Sequence, residues 1–458
     1  MPSHTLTDRD YDGRISRVAD GSFGPGHLGE LTQHVPFEMV DAACDETCTT
    51  QKRVRDLPSR VVVYLLLAAC LFPDIGYNGV WRKLTAGLHA RTYASPSVSA
   101  LAQARRRLGP APLRWLFELL RGPAGATPGR KGVWFKDLLV TAIDGTILTV
   151  PDTGGVRTRY TKQSGNHGGT GYPQVRLLAL VACGTRALVD AVFGPTTIGE
   201  TTYVRQLLRS THQGMIVLAD RNFDAQDVLT GIADTGAHFL VRAKSIRRLP
   251  VLTRHQDGSF TSQIAGLRVR VVDAEITITT AQGRQQRSYR LLTTLHDPVR
   301  YPAHQLVSLY HERWEIETSY LELKSSMLGG RVLRARTASG IEQEIYALLV
   351  TYQLLRTAIS DATYDRGMDP DRGSFTIAFQ AAKDQIVLAQ TVISQAVVDL
   401  VGVIGRQVQA DPLPQRRLRV CPRIVKRAIS KYQARGPVID RACRTAQLDI
   451  DILTGEPP

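Results

Sequence analysis

The spacing of apolar positions along this chain changes character near residue 130. Between residues 28 and 120, apolar residues recur at intervals of three and four, which places them on one side of a helix. Gly and Pro residues at 121–131 then interrupt the pattern, as they do in linkers. The pattern therefore predicts an all-α domain at residues 26–125, preceded by a flexible polar leader at residues 1–25.

Beyond the linker, the apolar runs become short and continuous, which is typical of buried strands. The runs at 138–143 and 215–219 each lead directly to an aspartate. Two further runs between residues 175 and 193 flank a Gly-Thr turn, as in a hairpin. Strands joined first by a hairpin and then by helices predict a mixed α/β sheet. Residues 246–295 are again rich in strand-forming residues and predict a β-rich insertion.

Helical periodicity returns after this insertion. Residues 302–326 predict one long helix, which carries four glutamates. Residues 356–458 predict a helical, basic C-terminal region. Between residues 416 and 444 this region holds ten Lys and Arg against one acid.

Composition favours a polyanionic partner. The 458 residues carry 57 Lys and Arg against 42 Asp and Glu, a formal net charge of +15. Such a field attracts nucleic acid, although a basic soluble protein without such a partner is the alternative. No apolar run approaches the length of about 18 residues that spans a membrane, so no membrane partner is expected. The charged N-terminus does not resemble a signal peptide, and six scattered cysteines predict reduced thiols in the cytoplasm.

Three successive arginines, Arg105, Arg106 and Arg107, end the predicted helix at residues 98–108. Short helices with a basic end resemble a helix-turn-helix reader of DNA. The alternative is a solvated basic face in a helical bundle. Because the whole chain is basic, we expect these arginines to contact DNA.

Two aspartates, Asp144 and Asp220, each directly follow a hydrophobic run that predicts a strand. A carboxylate at the end of a buried strand is held rigidly at a sheet edge, where a metal ion can bind. Aspartates are also common turn residues, so either one alone is a weak signal.

Helical geometry distinguishes among the glutamates of the predicted helix. At about 100° per residue, Glu317 shares one narrow face with two cations and a tyrosine. The members of this face are Tyr310, Arg313, Glu317 and Lys324. The other three glutamates fall on the far side, and the apolar Leu309, Ile316 and Leu323 lie beside the face. Ion pairing on a solvated helix would produce a similar pattern.

These four residues match the signature Y-x2-R-x3-E-x6-K of the insertion-sequence-4 family of DDE transposases at every position. The sequences IDGT around Asp144 and ADRNF around Asp220 resemble the family's two aspartate regions. Segments that begin at Leu31, Arg55, Pro96 and Gly171 resemble other parts of the family. The resemblance covers about residues 25 to 355.

The resemblance implies an RNase H-like catalytic core at residues 132–355, interrupted by the insertion at 246–295. Asp144, Asp220 and Glu317 would be the catalytic residues and would bind Mg²⁺, for which Mn²⁺ can substitute, two ions per active site. Two divalent ions about 3.5–4 Å apart activate the attacking oxygen and stabilise the leaving one. The remaining signature residues, Tyr310, Arg313 and Lys324, would contact the DNA.

The family also implies an activity. The enzyme would bind the terminal inverted repeats of its insertion element, hydrolyse phosphodiester bonds at the ends, and join the 3′-OH ends to target DNA by in-line transesterification. Cut-and-paste transposition is expected. The implied partners are double-stranded DNA, both element ends and target, and a second copy in a homodimer on DNA. The implied location is the bacterial cytoplasm, at the nucleoid.

Some family members form a DNA hairpin at each excised end and stack a flipped base on a tryptophan of the insertion. This chain has tryptophans only at positions 81, 115, 134 and 314, none of them in the insertion. Tyr289, Phe260 or Trp314 would have to provide the aromatic platform, although Trp314 could equally be a core residue.

Two other functions remain open on the sequence. A catalytically inactive, domesticated copy would be a sequence-specific DNA-binding protein, but all three acids are present here. A nuclease of the same fold would cut without strand transfer.

Overall fold

The computed structural model describes residues 15–17, 23–51, 53, 55–88, 93–165, 168–244, 246–280, 283–389, 399, 401–415, 419–420, 444–445 and 447–453. The chain forms two compact units. The helical unit comprises residues 1–125, 148–159 and 320–412, and the sheet unit comprises residues 126–147, 160–319 and 413–458. This grouping differs from the domain boundaries expected from the sequence, and those boundaries remain predictions.

The helices begin in the N-terminal third of the chain, as the spacing of apolar residues predicts. In chain order they are α1 (Phe37–Glu46), α2 (Ser59–Ala69), α3 (Tyr77–Thr85), α4 (Val98–Leu108), α5 (Ala111–Leu120), α6 (Gly154–Arg157), α7 (Glu200–Leu207), α8 (Gln226–Asp234), α9 (Ala303–Tyr310), α10 (Trp314–Leu321), α11 (Ala338–Asp365), α12 (Phe375–Leu388) and α13 (Gly402–Ala410).

The helical unit is built around α2 and α11. Helix α2 is apolar on all sides, and its residues from Val61 to Ala69 are buried, as expected of a central helix. Helix α11 packs against α2, α5, α12 and α13. A local cap fixes the start of α4. Ser97 Oγ accepts a hydrogen bond from the Ala100 amide at 3.1 Å.

The expected leader contains regular structure. Strands β1 (Ile15–Arg17) and β2 (Phe23–Pro25) form an antiparallel pair. The prediction of a flexible leader was therefore wrong for these two segments, because their main-chain groups pair with each other. The other residues before Phe23 lie outside the described residues.

The remaining strands mostly form one sheet. They are β3 (Trp134–Phe135), β4 (Leu138–Thr149), β5 (Gln163–Gly165), β6 (Gly168–Thr170), β7 (Gln174–Ala182), β8 (Leu188–Pro195), β9 (Met215–Ala219), β10 (His238–Arg242), β11 (Thr253–Arg254), β12 (Phe260–Ile264), β13 (Leu267–Thr280), β14 (Gly283–Thr293), β15 (Arg419–Val420), β16 (Arg444–Thr445) and β17 (Gln447–Ile452).

The large sheet has the order β11-β12-β13-β14-β10-β9-β4-β7-β8, with β3 also paired to β4 and β17 to β13. Strands β4, β9 and β10 are parallel neighbours, whereas β7 and β8 form the expected antiparallel hairpin. Helices α7 and α8 cover one face, where Val204, Leu207 and Leu229 join the buried side chains of β4 and β9. The prediction of a mixed α/β sheet is confirmed.

The β-rich insertion is not a separate layer. Strands β11 to β14 contain the strand-forming residues that the sequence indicated, but β14 pairs with β10 through Leu240 and Thr293. The insertion therefore extends the central sheet. The periodicity of the sequence shows strand content but not which strands pair, so it could not predict this continuous sheet.

The last part of the chain also departs from expectation. We predicted a helical region at 356–458, and α12 and α13 agree with that. Strand β17, however, pairs antiparallel with β13, from Gln447 with Thr279 to Ile452 with Ala274. An open edge of β13 has supplied hydrogen-bond partners that override helical propensity. The basic stretch at 416–444 lies outside the described residues, except for the short pair β15 and β16.

The helix predicted at residues 302–326 is interrupted twice. A 3₁₀ turn at His311–Arg313 separates α9 from α10, and a π-helical segment at Glu322–Met327 follows α10. The prediction of a single helix was therefore wrong, since each change of hydrogen-bond step rotates the residues beyond it. The apolar stripe survives, because Leu309, Ile316 and Leu323 are all buried.

None of the helices in the described part of the chain is long and apolar enough to cross a membrane.

Candidate active site

The two aspartates singled out from the sequence occupy neighbouring positions of the sheet. The parallel pairing of β4 with β9 ends at Ile143 and Ala219, and Asp144 and Asp220 are the next residues on the two strands. Strand β4 does not end there, however, because it continues to Thr149 beside β7. The expectation that Asp144 follows the end of its strand was wrong, although the pairing with β9 does stop at this point.

Main-chain amides orient both carboxylates. Asp144 Oδ1 accepts a hydrogen bond from the Gly145 amide at 2.8 Å. Asp220 Oδ1 accepts one from the Asn222 amide at 2.8 Å and so caps the 3₁₀ turn at Arg221–Phe223. Each aspartate therefore has one oxygen engaged by its own chain, which limits side-chain rotation at the sheet edge.

Tyr310 connects the helical segment to this edge. Its hydroxyl donates to the carbonyl of Ala219, the residue before Asp220, at 3.2 Å. The ring is buried, and burial raises the pKa of Tyr310 well above its ordinary value. In this structure Tyr310 positions the end of α9 against strand β9.

Arg313 lies between two of the acids. Its Nη2 is 3.0 Å from Glu317 Oε1, and its Nη1 is 3.8 Å from Asp144 Oδ2. Burial would lower the pKa of Arg313, but Tyr310, Glu317 and the two aspartates together raise it above its ordinary value. The guanidinium is therefore a permanent cation within the acidic cluster.

Burial and neighbouring negative charges change the pKa of Asp144. The pKa of its carboxyl is raised to about 7, because burial, Asp220 and Glu317 raise it by more than Arg313 and the Gly145 amide lower it. Asp220 and Glu317 are thus both close enough to influence Asp144. Negative charge that a single arginine does not neutralise is what a divalent cation would stabilise.

The donor set fits a hard divalent cation, because three carboxylates from two strands and one helix supply only oxygen ligands. In the described residues, no three acids, histidines or cysteines are spaced closely enough to hold a metal ion together. The Arg313 guanidinium takes up the space between Asp144 and Glu317, so it would move aside for both carboxylates to bind one ion. Asp144, Asp220 and Glu317 are the residues that could hold it.

The fourth signature residue lies elsewhere. Lys324 is in the π-helical segment, which belongs to the helical unit, and is partly exposed. The helical wheel placed it on the face of Glu317 by assuming an uninterrupted helix. Its role stays a prediction.

Two glutamates that the sequence analysis set aside prove to be structural. Glu315 forms a buried ion pair with Arg186, 2.5 Å from Nε to Oε2, in the turn between β7 and β8. Glu322 forms a buried ion pair with Arg356 of α11 and accepts from the Tyr352 hydroxyl at 3.0 Å. Sequence reasoning missed both pairs, because the partners are distant in sequence and follow no local spacing.

Of the three aromatic candidates, Phe260 and Tyr289 are buried and Trp314 is half-buried. Phe260 belongs to the hydrophobic core and is 4% exposed, so its proposed role as a platform was wrong. Tyr289 packs edge-on against Tyr310 with ring centroids 5.8 Å apart, and Arg242 lies over it at 4.3 Å. Trp314 is half-buried, with Arg313 at 5.5 Å from its ring, so it is not a core tryptophan.

The three successive arginines of α4 differ in burial. Arg105 is half-buried, and its guanidinium stacks on Tyr77 at 3.9 Å. Arg106 and Arg107 are exposed. Proximity to Arg55 adds to burial in lowering the pKa of Arg107, so positive charge accumulates on this surface. The exposure of Arg106 and Arg107 fits both DNA contact and a solvated face, so their role stays a prediction, whereas Arg105 has a packing role that periodicity did not reveal.

Comparison with known proteins agrees with this arrangement. The family model described as insertion element 4 transposase N-terminal matches residues 25–118, and the one described as transposase DDE domain matches residues 136–354. The chain is 26% identical to transposase InsG for insertion sequence element IS4 of Escherichia coli K12, over 88% of this chain and 93% of that protein. It is 30% identical to the putative transposase InsZ of the same organism, over 46% of this chain and 71% of that protein.

A solved piggyBac transposase synaptic complex with hairpin DNA has a TM-score of 0.42 and 10% identity, over 84% of this chain and 85% of that one. No conclusion rests on that likeness. The two family models and the relatives define the chain as a DDE transposase, an enzyme that acts on DNA. It belongs to the insertion-sequence-4 family. A transposase DDE domain implies dependence on a divalent metal ion.

Proposed function

We propose that this transposase binds the terminal inverted repeats of its own element, cuts at the element ends and joins the 3′ ends to target DNA. Cut-and-paste transposition is the expected outcome. One observation carries the proposal. Asp144 and Asp220 follow the last paired residues of two parallel strands, and Arg313 lies between Asp144 and Glu317.

Asp144, Asp220 and Glu317 would hold Mg²⁺ or Mn²⁺, two ions per active site. When bound, such ions activate the attacking oxygen and stabilise the charge on the leaving oxygen. In the cleavage step a water oxygen bonds to phosphorus and loses a proton to solvent, the bond from phosphorus to the 3′ oxygen breaks, and that oxygen takes up a proton to become the 3′-OH. In strand transfer a 3′-OH replaces the water, so the number of phosphodiester bonds is conserved.

Other residues of the chain would position the DNA. Arg313 has a donor, Nε, that is buried without a hydrogen-bond partner among the described residues. A guanidinium released from Glu317 could bind a phosphate in its place, with two donors in a fixed fork. Lys324 would contact a neighbouring phosphate as a point charge. Tyr310 would hold α9 against β9 while the DNA is bound.

We also propose that β4, the β7–β8 hairpin, β9 and β10 form the RNase H-like core that the family implies. The order of elements supports this proposal, because a strand with Asp144 is followed by a hairpin, a helix, a strand with Asp220 and finally the helix with Glu317. The insertion then precedes the catalytic helix, as the family also implies.

DNA ends would be recognised by the helical N-terminal region. The exposed Arg106 and Arg107 are the donors available for this contact, with Arg105 packed on Tyr77 behind them. Contacts to phosphate position a protein, whereas contacts to base edges specify sequence. We propose that the complex contains two copies of the chain and acts at the nucleoid in the bacterial cytoplasm.

If the excised ends pass through DNA hairpins, Trp314 or Tyr289 would provide the stacking surface. Trp314 is only half-buried beside Arg313, whereas Tyr289 is 7% exposed and already packed on Tyr310. Trp314 is therefore the better candidate. Denaturing gels of cleaved ends would show snap-back fragments if hairpins form, and their absence at every time point would exclude this step.

The test of the proposed function is cleavage of DNA that carries the element ends, with Mg²⁺ supplied. Asp144→Asn, Asp220→Asn and Glu317→Gln should each abolish cleavage and retain DNA binding, because they remove charge from the site and leave its shape. Glu312→Gln is the control, since it alters a neighbouring glutamate outside the acidic cluster. Cleavage by all three site variants at the wild-type rate would refute the proposal.

A further inference from the structure

A second polar site lies at β4 in the sheet unit, on the face opposite the Asp144 side chain. It is a cavity of about 420 Å³ between the far end of β4, the start of β7 and the start of α7. Ile147 of β4 lines it, three residues beyond Asp144. A Cβ added at Gly145 would lie 2.9 Å from Oε1 of Glu200, which also lines the cavity, so Gly145 and Ile147 share the α7 face of β4 and Asp144 points to the opposite face.

The wall of this cavity is almost entirely polar. Arg176 and Gln174 are two residues apart on β7 and therefore point to the same side of the sheet. The other polar residues that line it are Thr161, Lys162, Thr196, Thr197 and Glu200. Two cations, three hydroxyls and one amide thus face a single carboxylate. An excess of hydrogen-bond donors and of positive charge is the chemistry that binds phosphate oxygens.

Arg176 lies in the wall of the cavity, and its contacts there engage only some of its hydrogen-bond donors. Its Nη1 donates to the Ile198 carbonyl at 2.7 Å, and its Nε is 3.9 Å from Glu200 Oε1. The Nε donor is buried without a hydrogen-bond partner among the described residues. An unsatisfied buried donor on a charged group is costly, and an incoming oxygen ligand would remove that cost.

We propose that this cavity binds the phosphodiester backbone of DNA on the α7 side of the sheet, with Arg176 and Lys162 as the charged donors. Glu200 orients Arg176 before DNA arrives. The ligand is the backbone and not a base, because no aromatic side chain among the described residues lines the cavity to stack on a base. This proposal rests on the proposed function, since it requires that the sheet unit bind DNA.

Salt dependence of DNA binding tests the site. Each phosphate contact releases condensed counterions, so log affinity falls linearly with log salt concentration. Loss of one contact makes this negative slope shallower by about 1. With a random-sequence duplex as probe, Lys162→Gln and Arg176→Gln should each make the slope shallower by about 1 and weaken binding about tenfold at low salt. Arg176→Lys keeps the charge and should restore the slope while recovering only part of the affinity. Glu200→Gln should strengthen binding.

The matched control is another ion pair of the same unit. Arg205 lies on α7, the helix that begins with Glu200, and its partner is Asp227 of α8. Both side chains are exposed, so Arg205→Gln removes an identical charge from a different surface. It should leave the slope unchanged. Lys162 is partly exposed, so Lys162→Gln keeps the test decisive if Arg176→Gln does not fold.

Slopes for Lys162→Gln and Arg176→Gln equal to that of Arg205→Gln would overturn the proposal. That failure is distinct from failure of the proposed function. Asp144→Asn in the same binding assay should bind like the wild type and should lose only cleavage. An unchanged slope with a cleavage-dead Asp144→Asn would leave the catalytic assignment intact and remove this cavity from the DNA path.

Discussion

Two acidic clusters of this transposase, one in each unit, differ in how their charge is balanced. In the helical unit, Glu344 accepts from the amides of Arg334 and Ala335 at 2.9–3.0 Å, and Glu322 is paired with Arg356 and Tyr352. In the sheet unit, Asp144 and Glu317 share one arginine, and burial raises the pKa of Asp144 to about 7.

The contrast separates structural charge from functional charge. A fully paired buried acid contributes to the fold, and its loss leaves a charge or donors without partners. An acid held among other acids at a sheet edge costs stability and gains function when a cation binds. Neutralising Glu322 should therefore lower the free energy of unfolding, whereas neutralising Asp144 should raise it.

The largest expected effect is in the helical unit. Glu322→Ala leaves the buried Arg356 guanidinium without its carboxylate, so we expect the free energy of unfolding to fall by about 3–5 kcal/mol. Urea denaturation measures this change. The control is Glu342→Ala, a glutamate on α11 whose partner Arg159 is more exposed. Equal losses for the two variants would show that burial of the Glu322 pair is not what matters.

The second effect is a pH dependence of the helical unit. Burial lowers the pKa of His27 to about 4 from its ordinary 6.5. Its Nδ1 accepts from the Gly29 amide at 3.1 Å, so the neutral ring donates from Nε2 to the Leu84 carbonyl at 2.8 Å. Protonation favours the unfolded chain, so stability falls as pH drops from about 6.5 to 4, by about 3 kcal/mol in total. His27→Gln should flatten this fall, and a parallel curve for the variant would contradict the assignment.

The third effect has the opposite sign. Because the pKa of Asp144 is raised above its ordinary 3.8, the charged form is disfavoured in the folded protein. In the presence of a chelator, Asp144→Asn should therefore raise the free energy of unfolding by about 2 kcal/mol above pH 7. The gain should shrink as pH falls through 7 and vanish below the ordinary value. A variant less stable than wild type at pH 8 would place Asp144 with the structural acids.

The smallest effect concerns the wall between Asp144 and the second cavity. Gly145→Ala introduces a methyl group 2.9 Å from the Glu200 carboxylate, the free end of a flexible side chain. Glu200 can shift, so we expect a loss of about 1 kcal/mol or less in thermal unfolding experiments. A loss as large as that of Glu322→Ala would mean that Glu200 is rigidly held.

Local patterns in the sequence predicted the helices, the sheet and the positions of the candidate site. The aspartates follow apolar runs, and Arg313 and Glu317 are four residues apart, so short-range spacing was enough to bring them together. Pairing and helix type were not predictable in this way. The 3₁₀ turn at His311–Arg313, the strand β17 on the edge of β13 and the Glu322–Arg356 pair all depend on tertiary contacts that no local period records.

The central claim is that Asp144, Asp220 and Glu317 form one divalent-cation site. Binding of Mn²⁺ to the full chain, followed by electron paramagnetic resonance of the free ion, tests it without requiring activity. Asp144→Asn, Asp220→Asn and Glu317→Gln should each weaken Mn²⁺ binding by at least about tenfold, because each removes a charged ligand. Glu312→Gln should bind like the wild type. Wild-type Mn²⁺ affinity in all three site variants would contradict the account.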